Sequence, residues 1–257
     1  MNSILRFFYY SIIRDKFILG LIALLLISFC ISIFFGSTAL AEQREMIIAY
    51  IAGSSRIIIV FGIIIFITTH IHKIHLQKEI DFFLSKPISR NNFVLAYLLG
   101  SIILAGLFTA CAAILLYFFK INTMGYIIWL LSLFFEVCIC SFCAFICGIL
   151  FKSHIISVLA CTTFYIASRM MGLFSILNTK YQYSLSNLDH LIPWLSQKLI
   201  YLASCIIPRL DLFAESKWLI YEHSLKDFHL NIILPQTIIY FLLITFVAFH
   251  DIKKKDF

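Results

Sequence analysis

Residues 79–100 read EIDFFLSKPISRNNFVLAYLLG, a short amphipathic piece that breaks at Pro87 and continues into a long apolar run. Apolar runs of helical length flank this stretch on both sides. Proline has no backbone N–H and disfavours helix at the residue before it, so a short helix is predicted to end at Lys86. The stretch is therefore predicted to be an elbow between two membrane-spanning helices.

Composition supports a membrane protein. Hydrophobic residues make up 62% of the 257 residues and charged residues only 13%, whereas soluble domains carry about 25% charged residues. So little polar surface cannot cover so apolar a core, which predicts an all-α integral membrane protein. The length suits about six spans of ~20 residues, forming a single membrane domain over residues 1–257. Nothing in the sequence indicates a nucleic-acid partner.

The apolar runs define six predicted spans, at residues 17–37, 57–72, 93–119, 126–151, 155–177 and 232–249. With both termini inside, the inner segments carry eleven Lys and Arg against five Asp and Glu, and the outer segments carry eight against seven. Positive loops stay in the cytoplasm, so the termini and the elbow are predicted to be cytoplasmic. Residues 38–56 are predicted to be an outer connection, and a start of the second span at Ile47 is the alternative. Residues 199–207 are too short to cross and are predicted to lie at the outer face or to be partly re-entrant.

The N-terminal residues 1–16 are amphipathic at helical spacing, with Arg6 and Arg14 on the polar face. A helix of this kind lies in the headgroup plane with its cations toward anionic lipid. An interfacial helix is therefore predicted before the first span. A plain basic lead-in to that span is the alternative.

Two charged residues lie inside predicted spans. Glu136 is near the middle of the fourth span and Arg169 near the middle of the fifth, and these helices are adjacent and antiparallel. Charges at mid-bilayer are costly and are usually paired or line a cavity. The two side chains are predicted to pair, either as structural contact between helices or as part of a substrate pathway.

Two other clusters invite a metal interpretation. Three cysteines can share one helix face: Cys140, Cys143 and Cys147. Three histidines lie at the predicted inner end of the second span: His70, His72 and His75. Thiolates suit copper or zinc and histidine clusters suit iron, which makes a membrane-embedded metal-dependent enzyme the alternative function. Cysteine also packs as a small apolar residue, and histidine suits the headgroup level, so no metal site is expected.

The elbow residues read E…FLSKPISR…FVL between Glu79 and Leu95. This run resembles the "E…LLSKPISR…F.LGK" signature of ABC-2-type transporter permeases, the membrane subunits of a class of ATP-driven exporters. The six-span topology, the N-terminal amphipathic helix and the basic tail are also similar to that family. The chain departs from the signature at Ala96-Tyr97, where the family often has Gly-Lys.

The resemblance implies a permease subunit, not an enzyme, that moves an unknown substrate outward across the cytoplasmic membrane. It would pair with a second copy or a related permease, and two cytoplasmic ABC ATPase subunits would drive it. No G-x-x-x-x-G-K-[ST] phosphate loop is present, so ATP and magnesium would bind the partner and no cofactor is expected here. An ATP-independent carrier is a further alternative. The elbow would be the coupling helix, formed by Glu79, Ile80, Phe83, Leu84, Ser85, Lys86, Pro87 and Arg90.

Overall fold

The computed structural model describes residues 16–38, 42–76, 90–119, 121–184, 198, 207–221 and 230–254. These residues form helices and turns, with no strand among them. The six long helices are α1 (Lys16–Thr38), α2 (Gln43–Leu76), α3 (Arg90–Tyr117), α4 (Thr123–Leu150), α5 (His154–Ser184) and α6 (Leu230–Lys254). All six are long and apolar enough to cross a membrane, which confirms the predicted helical, multi-pass architecture. The cytoplasmic placement of the termini stays a prediction.

Helix α4 is the centre of the bundle and packs against α2, α3, α5 and α6. Buried residues make up 67% of the most apolar part of α4, against 28% in α1, 28% in α5 and 22% in α6, so these three helices are peripheral. Asn122 caps α4, because its side-chain oxygen accepts a hydrogen bond from the Met124 N–H at 3.2 Å. Apolar side chains on the peripheral helices, such as Leu19 and Leu242, are exposed and suit contact with lipid.

Several buried hydroxyl groups find their hydrogen-bond acceptors within their own helix. Thr68 donates to the Ile64 carbonyl at 2.8 Å, and Ser141 donates to the Cys138 carbonyl at 2.8 Å. Hydrocarbon offers no hydrogen-bond partner to a polar group. Because these hydroxyl groups bond within their own helix, they can face neighbouring helices without being left unsatisfied.

Helix α2 differs most from the sequence prediction. It begins at Gln43 rather than near residue 57, so the predicted outer connection over residues 38–56 is wrong. Arg56 was predicted to belong to that connection, as one of its four charged residues. The structure places it within α2, where a backbone carbonyl accepts from its guanidinium. Helix α5 is also longer than predicted and ends at Ser184 rather than near residue 177.

Three predicted features lie outside the described residues. The first is the N-terminal segment 1–15, with Arg6 and Arg14. The second is residues 77–89, the part of the elbow between the end of α2 at Leu76 and the start of α3 at Arg90. The third is the apolar piece 199–206. Their predicted structures stay predictions.

Residues 208–221, called the insert below, fold back against the helices. The insert contains a 3-10 turn, Leu210–Leu212, and one α-helical turn, Lys217–Ile220. Its apolar side chains Leu210, Phe213 and Trp218 are at most 1% exposed, and it packs against α2, α4 and α5. The segment that enters the bundle therefore begins directly after residues 199–207, the apolar piece for which the sequence predicted a position at the outer face or a partly re-entrant one.

Candidate functional site: a buried charge cluster at the insert

The insert occupies the end of the bundle where α2 begins and α3 ends, called the insert end below. Arg44 joins these two helices there, donating to the Phe119 carbonyl from Nε at 3.0 Å and from Nη2 at 2.7 Å. The insert reaches Ser132, nine residues after the start of α4 at Thr123. At 1.5 Å per residue this is a depth of about 13 Å, close to a third of the helix. The insert therefore enters the helix bundle from this end.

Ala214 is the centre of the insert's polar contacts. Its N–H donates to Ser132 Oγ at 2.8 Å, and its carbonyl accepts from Arg56 Nη1 at 2.8 Å and from Trp129 Nε1 at 3.1 Å. Trp129 and Ser132 are three residues apart on α4 and so lie on one face of that helix. Ala214 has a φ of 47°, in the left-handed region that non-glycine residues seldom adopt. The bonds from α2 and α4 hold it there.

Arg169 of α5 holds the insert from the other side. Its Nη1 donates to the carbonyls of Leu210 and of Phe213, the latter at 3.0 Å. The same Nη1 lies 3.5 Å from Glu136 Oε1. Arg169 is therefore shared between the backbone of the insert and a carboxylate on α4.

Glu136 is fully buried in α4, with no exposed side-chain surface. Its Oε1 accepts from the Tyr165 hydroxyl at 3.1 Å as well as lying near Arg169. Its Oε2 is buried and has no hydrogen-bond partner among the described residues. A buried carboxylate is costly, and the attraction of Arg169 and Arg56 offsets only part of the cost of removing it from water.

Arg56 also has unused hydrogen-bonding capacity. Its Nη1 binds the Ala214 carbonyl, while its Nε is buried without a hydrogen-bond partner in the described part of the chain. Arg56 and Glu136 attract each other across the cluster. The cluster thus holds an unfilled donor on one helix and an unfilled acceptor on the next.

A second ion pair lies at the start of the insert. Arg209 Nη2 is 2.9 Å from Asp211 Oδ2, and Asp211 packs against Gly172 so closely that a Cβ there would overlap the carboxylate. Arg209 also lines a crevice of about 780 Å³ between α4, α5 and α6. The rest of its lining is mainly apolar and includes Phe164 and Leu243. The insert therefore adjoins this crevice.

The structure brings Glu136 and Arg169 together, the two residues that the sequence predicted to pair. It adds a partner for each that the sequence analysis did not name, Tyr165 for the carboxylate and the insert backbone for the guanidinium. The predicted coupling residues Glu79 to Pro87 lie outside the described residues. Arg90 is the first residue of α3.

The histidines and cysteines considered as metal ligands have other contacts. His72 Nε2 lies 2.9 Å from Ser157 Oγ, and His70 Nε2 lies 3.5 Å from the Tyr97 hydroxyl. The side chain of His75 is outside the described residues. Cys140 is buried, while Cys143 and Cys147 are half-buried on α4. Within the described ranges, no three His, Cys, Asp or Glu side chains are grouped so that they could hold a metal ion.

Sequence reasoning missed Arg56 as a member of the site. The available signal was its position between two apolar runs, MIIAYIAG before it and IIIVFGIII after it, which together form one helix. The donors and acceptors on α4, Trp129 and Ser132, gave no signal because their partner in the insert is more than eighty residues away.

Comparison with protein-family models, curated proteins and solved structures found no match for the chain. The interpretation of function therefore rests on the residues and their geometry. Two arginines and one carboxylate around the insert are suited to holding or releasing that segment.

Proposed function

We propose that this chain is the permease subunit of an ABC transporter of the ABC-2 type, which exports a substrate with energy from a separate ATPase. The observation that carries the proposal is the E…FLSKPISR…FVL stretch between Glu79 and Leu95. Its last basic residue, Arg90, is where α3 begins, on a chain with six helices long enough to cross a membrane. The stretch thus joins two of those helices, as a coupling element must.

Helix α2 offers a mechanical link from the elbow to the buried cluster. It is continuous from Leu76, next to the elbow, to Arg56, which binds the insert. These twenty residues span about 30 Å. A soluble partner that binds the helix predicted at Ile80, Phe83 and Leu84 and pushes on it would move α2 as a rod and displace Arg56.

The proposal includes the remaining subunits. Two cytoplasmic ABC ATPases bind the nucleotide and magnesium, and a second copy or a related permease completes the membrane domain. The exposed apolar faces of the peripheral helices face lipid or this second permease. The complex lies in the cytoplasmic membrane, with the elbow on the cytoplasmic side.

The test is purification of the tagged chain together with an ATPase encoded beside it, followed by ATPase and transport assays in vesicles. Phe83→Asp is expected to abolish binding of the ATPase, because a charge in an apolar docking face is costly. Phe118→Asp is the matched control, because Phe118 is exposed just beyond the opposite end of α3. The proposal fails if the wild type retains no ATPase, or if Phe83→Asp and Arg90→Glu leave transport intact.

The second candidate is an ATP-independent carrier, which the buried Glu136 carboxylate favours, since such groups relay protons in many carriers. Transport by that carrier would persist after ATP depletion and stop when the proton gradient is dissipated. Transport by the ABC permease would do the reverse.

A further inference from the structure

We infer that the insert is a releasable latch at the insert end of the bundle, and that Arg56 and Arg169 exchange its backbone carbonyls for Glu136 when it leaves. The inference goes beyond the proposed function, because it concerns the bundle alone and holds for a carrier as well as for an ATP-driven permease. It rests on the unfilled hydrogen-bonding positions in the charge cluster.

The seated insert is held through its backbone. Arg169 binds the carbonyls of Leu210 and Phe213, and Arg56 binds that of Ala214. The carbonyls carry no charge. Their departure removes the Ala214 carbonyl from Arg56 and leaves Arg169 with Glu136, and it leaves no unpaired charge on the insert. The cost of release therefore depends on what else the arginines can bind.

Glu136 supplies that alternative. Arg169 Nη1 already donates a long hydrogen bond to Oε1, at 3.5 Å. Oε2 has no partner among the described residues, and Arg56 Nε is likewise an unfilled donor there. Arg56 and Glu136 already attract each other, so we expect both guanidinium groups to turn toward this carboxylate once the insert carbonyls are gone. The cluster therefore has two arrangements, one with the arginines bound to the insert carbonyls and one with both bound to Glu136, as a two-state element requires.

Two further features favour release. The φ of 47° at Ala214 is a conformation that an alanine leaves readily when its bonds are broken. Arg209 and Asp211 at the start of the insert adjoin the crevice of about 780 Å³ between α4, α5 and α6. Movement of the insert would therefore widen this crevice toward the insert end.

Hydrogen exchange of the full chain in lipid nanodiscs, read by mass spectrometry, tests the latch. In the wild type, amides of residues 210–220 are expected to exchange together through one opening that the central turns of α4 do not share. If these amides exchange only as slowly as those around Ser132 and Glu136 in α4, the insert is a fixed part of the fold and the inference is wrong. This arm needs no variant.

Glu136→Gln separates a latch from a structural ion pair. In the seated state Glu136 accepts from Tyr165 and lies 3.5 Å from Arg169, whereas in the released state it binds both arginines. Removal of its charge is therefore expected to slow hydrogen exchange of the insert by about tenfold, because the released state loses more electrostatic stabilisation than the seated state. Faster exchange in Glu136→Gln would show that the carboxylate only stabilises the seated fold, and would overturn the inference.

Ser132→Ala is the matched control, because Ser132 accepts from the Ala214 N–H and touches only the seated state. It is expected to speed exchange of the insert while α1 is unchanged. Slower exchange in Glu136→Gln together with faster exchange in Ser132→Ala, one turn away on α4, would show that the arginines change partners when the insert leaves.

Discussion

Gly125, in the first turn of α4, lies directly against the backbone carbonyl of Trp218 in the insert. The two segments meet backbone to backbone, with no side chain of α4 between them. Trp218 itself is buried against the bundle. This contact fixes how closely the insert can approach α4, because a Cβ at residue 125 would occupy the same space as the Trp218 oxygen.

Gly125→Ala is expected to destabilise the protein by about 1–3 kcal/mol, as overpacking of a tight contact does. The matched control is Gly53→Ala in α2, where an added Cβ meets nothing within 4 Å. Alanine is preferred to glycine in a helix by about 0.5–1 kcal/mol, so this variant should be neutral or slightly more stable. Thermal unfolding of the purified protein in detergent measures both. Equal shifts would contradict the close approach.

Ser132→Ala and Ser141→Ala compare two buried serines on α4. Loss of Ser132 Oγ leaves the buried Ala214 N–H without an acceptor, which costs about 1–3 kcal/mol. Ser141 donates only within its own helix in the described structure, to the Cys138 carbonyl, so its replacement should cost less than about 0.5 kcal/mol. Thermal unfolding gives the ranking, and a greater loss for Ser141→Ala would contradict the role of Ser132.

Glu136 and Arg169 are expected to be energetically coupled. Glu136→Leu leaves two arginines in the bundle without their carboxylate, and Arg169→Leu leaves Glu136 with Arg56 alone. Each single variant should lose several kcal/mol, about 3–5 for a broken buried pair. The double variant should lose less than the sum, with a coupling of about 0.5–3 kcal/mol. Additive losses in yield and thermal stability would show that the two side chains act independently.

Treatment with a strong chelator is expected to leave the unfolding temperature unchanged. His72 and His154 contact the hydroxyl groups of Ser157 and Thr69, and these contacts join the end of α2 to the start of α5. Metal analysis of the purified protein should find less than stoichiometric zinc, copper or iron. A stoichiometric metal whose removal lowers the unfolding temperature would contradict this prediction and support the alternative of a metal-dependent enzyme.

The sequence predicted the six helices because long apolar runs have one stable solution in hydrocarbon, a hydrogen-bonded helix. It also paired Glu136 with Arg169, because a charge inside a span is costly and each of these residues is the nearest opposite charge on the adjacent helix. It misplaced the start of α2 because residues 38–56 contain four charged residues, and the carbonyl that accepts from one of them, Arg56, lies 158 residues away.

The insert was missed for the same physical reason. Residues 208–221 read PRLDLFAESKWLIY, a mixed stretch with charges and a leading proline that is typical of a surface loop. Its burial depends on donors and acceptors of α2, α4 and α5, and no local pattern of the insert encodes these. Long-range polar contacts of this kind become visible only when the helices are assembled.

The order of these residues along the chain has a consequence for biosynthesis. Arg56, Glu136 and Arg169 all precede residue 208, so α2, α4 and α5 are translated before the carbonyls that their arginines bind. Until then Glu136 is the anion near both arginines, and it must accompany them into the bilayer. The bundle can become fully packed only after the ribosome has passed residue 221. A chain that stops earlier therefore carries an incompletely satisfied charge cluster, which membrane quality control can recognise as unfinished.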